Sequence, residues 1–357
     1  MGIDRLNKGE WSEVYAFIKI ASNGKLNIGD SNLQTKTNES YKVFKIIKSE
    51  DDRILEIGDN DVIIKTKDES LEVATIDKEK FKNISDELLS TIISSTEKTF
   101  EVTKVKKFLN DIGIKKLKGS CNEKPDIVLD LQKNIDLIRR ILSFSIKSQI
   151  GNPATILNAS QKTNFVYNIV DLELNDKEID ELNSKNPKTI INTIMKNGGA
   201  LRYSNINDKT FESNIKSIDS LLPDILAQLL LYTYRSGVKG IKEVFDSVNL
   251  IIPNGYTEEQ FNIYALKRLK SMIYLSATTM ITNDDFYKGD RIDGGMIIVK
   301  VNGELICYDL YNLKEFKEYL YRNLKFESPS RSRHNYAKIY KENGVLKFKL
   351  NLQIRYK

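Results

Sequence analysis

Apolar residues recur at helical spacing from about Lys8 to Ile20, at Trp11, Val14, Tyr15, Phe17 and Ile18, beside Glu10 and Glu13. That spacing predicts a first helix. Between Ser40 and Ala74 the period falls to two, in the runs YKVFKII, RILEI, DVIIKT and LEVAT with Asp, Gly and Asn turns between them. A small antiparallel β-section is expected there. Helices are expected near Asp86 to Ser95 and Glu101 to Asn110, the second stopping before Gly113. From Lys124 the segments PDIVLDLQ and IDLIRRILSFSIKSQ, with a turn at Lys133-Asn134, read as a hairpin ended by a Gly-Asn-Pro loop at 151–153. Helical spacing then dominates to about residue 278. One helix starts near Asp219 with Pro223 in its first turns. Another starts at Thr257, where Thr-Glu-Glu-Gln forms a capping box. After Asp293-Gly294-Gly295 the runs GMIIVKV and LICYDLY form a hairpin turning at Asn302-Gly303. A helix at Leu313 to Asn323 follows, then a last pair of strands turning at Asn343-Gly344. The pattern as a whole is α+β, with no internal repeat and no low-complexity linker.

Composition narrows the chemistry. The 357 residues are 40% hydrophobic and 29% charged, ordinary for a globular protein of one large or a few smaller domains. The greasiest segment, Leu221 to Tyr234, is broken by Pro223, Asp224 and Gln228, so a buried helix is expected and no membrane span. With no apolar N-terminal run resembling a signal peptide, a cytoplasmic location is expected. Cys121 and Cys307 lie far apart without C-x-x-C spacing, which argues against disulfides and cysteine zinc sites. A single histidine, His334, excludes paired-histidine mechanisms. Any metal must then be held by carboxylates, carbonyls and water, which suits Mg²⁺ or Mn²⁺. The net charge of +6 permits nucleic-acid binding without demanding it.

The chemically informative segment is Pro125-Asp126, followed nineteen residues later by Ser145-Ile146-Lys147. On adjacent strands of a hairpin, Asp126 can meet Lys147, and Ser145, Lys147 and Gln149 share one face because strand side chains alternate. Such a polar cluster is costly to bury unless a metal or substrate pairs with it. The layout resembles the PD-(D/E)-x-K nuclease core. There two carboxylates bind Mg²⁺, and the lysine orients or deprotonates the attacking water. Ser145 occupies the second acidic position, and serine is a poor Mg²⁺ ligand. A further carboxylate is therefore expected from elsewhere: Glu13 on the first helix first, then Glu10 and Asp30. Asp126 and Glu13 are the expected metal ligands.

Longer blocks extend the likeness. NKGEWSEVY at 7–15, GDSNL at 29–33, KPDI at 124–127, FSIKSQIGNPATILNAS at 144–160, DGGMIIVK at 293–300, CYDLYN at 307–312, SPSRSRHNYAKIY at 328–340 and FKLNLQIRY at 348–356 resemble the HpaII family of type II restriction endonucleases. That resemblance implies a restriction-endonuclease-like mixed sheet core flanked by helices, and Mg²⁺-dependent cleavage of an unmethylated CCGG-type palindrome in duplex DNA. A homodimer on the DNA and a cognate methyltransferase protecting the same site are also implied. Asp126, Lys147 and Gln149 match the family's catalytic core, and the family shares the SIK sequence that lacks an acid. The implied organisation is 1–112 as an N-terminal helix, β-section and helices, 113–280 as the nuclease core with a helical part, and 281–357 as a β-rich DNA-recognition region.

Ser330-Arg331-Ser332-Arg333-His334 suits DNA contact, since two arginines spaced by a serine can read guanine O6 and N7 or bind phosphates. Arg202, next to Gly198-Gly199, is a candidate for entering a groove or pinning a loop. Asn152 begins a polar run through Asn158, Ser160, Gln161 and Asn164 that suits DNA contact or a solvated loop. Lys104, Lys106 and Lys107 with Lys115, Lys116 and Lys118 form basic clusters of a solvated face. Trp11 is expected in the core. Two other classes compete: a DNA-binding protein that does not cut, and a serine–lysine hydrolase built on Ser145 and Lys147.

Overall fold

A computed structural model describes residues 5–48, 51–115, 125–136, 138–279 and 292–357. In chain order its elements are α1 (Lys8–Asn23), β1 (Lys25–Gly29), β2 (Thr35–Lys48), β3 (Arg53–Ile57), β4 (Asp61–Thr66), β5 (Glu72–Asp77), α2 (Lys78–Ser94), α3 (Thr103–Asp111), β6 (Ile127–Lys133) and β7 (Arg139–Ser148). Next come β8 (Thr155–Leu157), β9 (Asn164–Val170), α4 (Asp176–Asn183), α5 (Pro187–Lys196), β10 (Ala200–Ile206), α6 (Lys209–Ile218), α7 (Leu222–Ser236), α8 (Ile241–Ser247) and α9 (Glu258–Thr278). The chain ends with β11 (Gly295–Val299), β12 (Leu305–Asp309), α10 (Leu313–Asn323), β13 (Leu324–Phe326), α11 (Arg331–His334), β14 (Ile339–Glu342), β15 (Val345–Asn351) and β16 (Ile354–Tyr356). The fold is mixed α and β around a large mixed sheet, as the sequence pattern implies.

The chain divides into two compact units: residues 1–154 with 290–319, and residues 155–289 with 320–357. Each unit is discontinuous in sequence, so neither follows the contiguous division at 112 and 280. The first unit is built on one nine-stranded sheet in the order β1-β12-β11-β7-β6-β2-β3-β4-β5. The strands expected to form a separate β-section therefore belong to the same sheet as Asp126 and Lys147. β1 pairs with β2 as well as β12, so β1, β12, β11, β7, β6 and β2 close a ring, and β3 to β5 continue as a meander.

α1 is held at its start by a capping box between Asn7 and Glu10 and stopped by Gly24 at φ +62. From Trp11 to Ser22 every position of it is buried except Glu13 and Lys19. Trp11 is fully enclosed, and its Nε1 donates to the Phe100 carbonyl at 3.0 Å. α2 begins at Lys78, eight residues before the helix expected at Asp86, because Asp77 caps it through the Glu79 N–H. Its buried positions Phe81, Ser85, Leu88 and Ile92 keep helical spacing through the lysine-rich first turns.

The second unit holds a four-stranded sheet, β10-β9-β15-β14, and a three-stranded one, β13-β16-β8. β9 and β10 lie inside the stretch where the sequence pattern predicts helices. NFVYNIV alternates too weakly to announce a strand, since Phe165, Val166 and Tyr167 are all buried in succession. Tyr167 donates to the Ala227 carbonyl of α7 at 2.7 Å, fixing the inner face of the sheet against that helix. The capping box at Thr257 opens α9 as expected. Among the described residues, no helix is long and apolar enough to cross a membrane.

Candidate active site

β6 and β7 form the antiparallel hairpin expected, with Ile127 opposite Phe144. One step further the Asp126 N–H donates to the Phe144 carbonyl at 2.8 Å, which sets Asp126 opposite Ser145. Lys147 follows two positions along the same face of β7. Its Nζ lies 3.7 Å from Asp126 Oδ2, and both side chains are about four-fifths buried, with exposures of 21% and 22%. The ammonium also donates to the Ile146 carbonyl at 3.0 Å. The sequence spacing of nineteen residues thus becomes a close charge pair through strand register alone.

Ser145 is 1% exposed. Its Oγ donates to Asp126 Oδ2 at 3.0 Å, and the Ile146 N–H donates to the same oxygen at 2.6 Å. Those two donors orient the carboxylate and leave Oδ1 outside that pair of bonds. Ser145 therefore supports the acid from the position where a second acid was expected. Its enclosure and its bond to a carboxylate, with the lysine directed elsewhere, also disfavour it as a nucleophile beside Lys147.

Glu13 shares a cleft with Asp126. Val14 and Phe17 of α1, Lys48 at the end of β2, Ile114 and Ile127 complete its lining. The cleft opens where β2 finishes and β6 begins. Lys48, 8% exposed, was not singled out from the sequence. A signal existed: the pairing of Ile46 with Leu129 puts Lys48 on the inward-facing side of β2, where a lysine is out of pattern. Gln149 is exposed just beyond β7, its N–H on the Val299 carbonyl at 2.9 Å, and Asn152 is exposed in the turn that follows.

The other acids proposed for the vacant ligand position are committed locally. Glu10 closes the α1 capping box by accepting the Asn7 N–H at 2.8 Å. Asp30 accepts the N–H groups of Asn32 and Gln34 in a turn. Among the described residues, no group of three or more acidic, histidine or cysteine side chains is arranged to hold a metal. Among the described residues that line the cleft, two are carboxylates, Asp126 and Glu13. This matches how Mg²⁺ is commonly held, by one or two carboxylates with water and substrate phosphate completing its shell.

The expected DNA-contacting residues other than Asn152 lie in the second unit. Arg331, in the short helix α11, donates from Nη1 to the Lys185 carbonyl at 2.6 Å and from Nη2 to the Ala337 and Asn183 carbonyls at 2.5 and 3.4 Å. Its guanidinium ties the end of α4 to the Ala337 backbone through three carbonyls. Ser332 and Arg333 are exposed, and Ser332 Oγ lies 3.3 Å from Ser330 Oγ. Burial and then the charge of Arg333 push the His334 imidazole below its ordinary range. Arg202 is exposed on the edge strand β10. Of the polar run after 152, Asn164 is buried in β9, where its Nδ2 bonds the His334 carbonyl and its Oδ1 accepts from Asn351. Lys116, Lys118 and Cys121 fall outside the described residues. Cys307 is a buried free thiol.

Comparison with known proteins identifies the family. The family described as HpaII restriction endonuclease matches residues 7–356. The chain is 34% identical over 353 residues to the type II restriction enzyme HpaII of Haemophilus parainfluenzae, an alignment covering 98% of both chains. No solved structure matches.

Proposed function

Because the chain belongs to the HpaII restriction endonuclease family, we propose that it cuts both strands of duplex DNA at a short CCGG-type palindrome, with Asp126 and Lys147 at its catalytic centre and Mg²⁺ as cofactor. The observation that carries the catalytic assignment is the 3.7 Å approach of Lys147 Nζ to an Asp126 carboxylate already oriented by Ser145 and the Ile146 N–H.

Asp126, with Glu13 across the cleft, would hold the divalent cation, which when bound offsets the charge that develops on the scissile phosphate. Lys147 aligns the attacking water through an Nζ–H bond and stabilises the negative charge that develops on its oxygen as the proton leaves to solvent. Ser145 and the Ile146 N–H keep Asp126 Oδ2 pinned, so the carboxylate needs little reorganisation on binding. Gln149 and Asn152, exposed past the end of β7, would meet the DNA backbone beside the cut. A two-fold palindrome suits two copies on one duplex. The cell's own copies of the site would be protected by a methyltransferase of the same specificity, acting in the cytoplasm with the nuclease.

Digestion of plasmid DNA with Mg²⁺, followed by sequencing of the ends, tests the reading. Discrete fragments with one recurring terminal sequence are expected. Asp126→Ala and Lys147→Ala should each lower cleavage by at least about a thousandfold while leaving DNA binding. Normal cutting by either variant refutes the assignment. Glu13→Gln should weaken Mn²⁺ binding to the protein–DNA complex, measured by calorimetry; an unchanged affinity removes Glu13 from the site.

A further inference from the structure

The outer face of the four-stranded sheet in the second unit carries an unusual row. Cross-strand register sets Arg202 of β10, Asn168 of β9, Lys347 of β15 and Tyr340 of β14 side by side. The inner face of the same strands is apolar: Tyr203, Tyr167, Phe348 and Ile339 occupy the adjacent row. Lys349 lies two positions beyond Lys347 on the outer side, its Nζ 4.9 Å from the centre of the Tyr340 ring. Lys347 pairs with Glu342. Arg202, Lys347 and Lys349 thus face a single acid in this group.

Three further observations make the row more than a solvated surface. Asn168 Oδ1 is closed off from solvent and accepts no hydrogen bond, a state that proteins rarely leave uncompensated. Burial pushes the Lys349 ammonium below its ordinary range, with Lys347 adding to the effect. Two lysines on one strand face, one of them desolvated, oppose folding and favour an incoming anion. Arg202, at the exposed edge, offers a planar fork of donors directly opposite the unfilled Asn168 acceptor.

Donor fork and acceptor together match the major-groove edge of a G·C pair. Guanine presents O6 and N7 as acceptors, and cytosine presents the N4 amino group as a donor. Four strands at about 4.8 Å spacing make the row roughly 14 Å wide, against a major groove of about 12 Å. Arg202 would meet a base edge directly and Asn168 by turning its amide outward from the enclosed position it holds here, while Lys347 and Lys349 reach the flanking phosphates.

We propose that this sheet face docks on duplex DNA, with Arg202 and Asn168 reading one G·C pair and Lys347 and Lys349 binding the backbone. The proposal deepens the restriction-endonuclease reading and rests on it. The test is binding of the full chain, without divalent cation, to the sequence that wild-type protein cuts and to duplexes in which each base pair is exchanged in turn. Arg202→Lys and Asn168→Leu should each reduce discrimination at one G·C position by about ten- to a hundredfold and spare the others. The double variant Lys347→Ala with Lys349→Ala should weaken binding to every duplex alike and lower the slope of log affinity against log salt by about two. Circular dichroism and melting of each variant confirm that it is folded.

If folded variants bind and discriminate as the wild type does, the face is not a DNA surface, although wild-type cutting at a discrete site would still uphold the function. A change in sedimentation with unchanged DNA binding would make the face a contact between copies and overturn the proposal. If wild-type protein neither binds nor cuts any duplex, both readings fall.

Discussion

Ser145 shows how much a single position depends on its neighbours. From the sequence it is a missing acid; in the folded chain it is a hydrogen-bond donor to Asp126. Ser145→Ala should therefore slow single-turnover cleavage by only about tenfold, since one hydrogen bond to a charged group is worth about 1.5 kcal/mol. A loss as deep as that of Asp126→Ala would mean that the hydroxyl acts directly on the reaction. Arg331 reverses in the same way. Its guanidinium serves three backbone carbonyls, so Arg331→Met should cost about 2–4 kcal/mol of stability by denaturant unfolding. Unchanged stability with altered site preference would restore it as a base reader. Neither role was legible from residue type, because both depend on acceptors brought close by folding.

At the scale of elements, the catalytic hairpin was readable, because alternation and a turn define both strands and their register. The strand beside it is more demanding. β11 starts at Gly295, at φ +127, where an added Cβ would lie 2.0 Å from the Tyr308 carbonyl oxygen of β12. Gly295→Ala should destabilise the sheet by about 3 kcal/mol or more, read as a fall in melting temperature; a stable variant would show that β11 and β12 can separate without cost. On β15 the cost runs through charge. A lysine whose folded pKa is lowered binds fewer protons folded than unfolded, so its penalty is present at neutral pH and fades as pH rises toward the ordinary lysine range. The stability difference between wild type and Lys349→Met should accordingly shrink from pH 7 to pH 10 in denaturant titrations. A difference independent of pH would contradict the desolvation of this group. β9 escaped the sequence reading because Phe165, Val166 and Tyr167 are buried in succession and hide the alternation that identifies a strand, and β10 because this edge strand, with Arg202 and Ser204 exposed, carries few apolar positions to alternate.

For the whole molecule, the two units hold different candidates: the Asp126–Lys147 pair lies in the first, and the Arg202 row and α11 lie in the second. A net charge of +6 gives the chain an overall attraction for polyanions that salt should screen. Chelation with EDTA should stop cutting while the protein still retards its target duplex in a gel, and added Mg²⁺ should restore cutting. Cleavage that persists in EDTA would exclude the carboxylate-held cation. His334 should matter little to the pH profile, since its imidazole is held below its ordinary range and is mainly neutral at pH 7.

The order of residues alone determined the family likeness, the α+β class, the β6–β7 hairpin and the pairing of Asp126 with Lys147. All of these rest on local period and on short separations along the chain. Tertiary structure decided that the β-section and the catalytic hairpin share one sheet, that Glu13 and Lys48 meet Asp126 in a cleft, and that Arg202 stands opposite Asn168. Those pairings join strands and helices far apart in sequence. Their register follows from which faces must be buried together, a property of the packed chain that no local window contains.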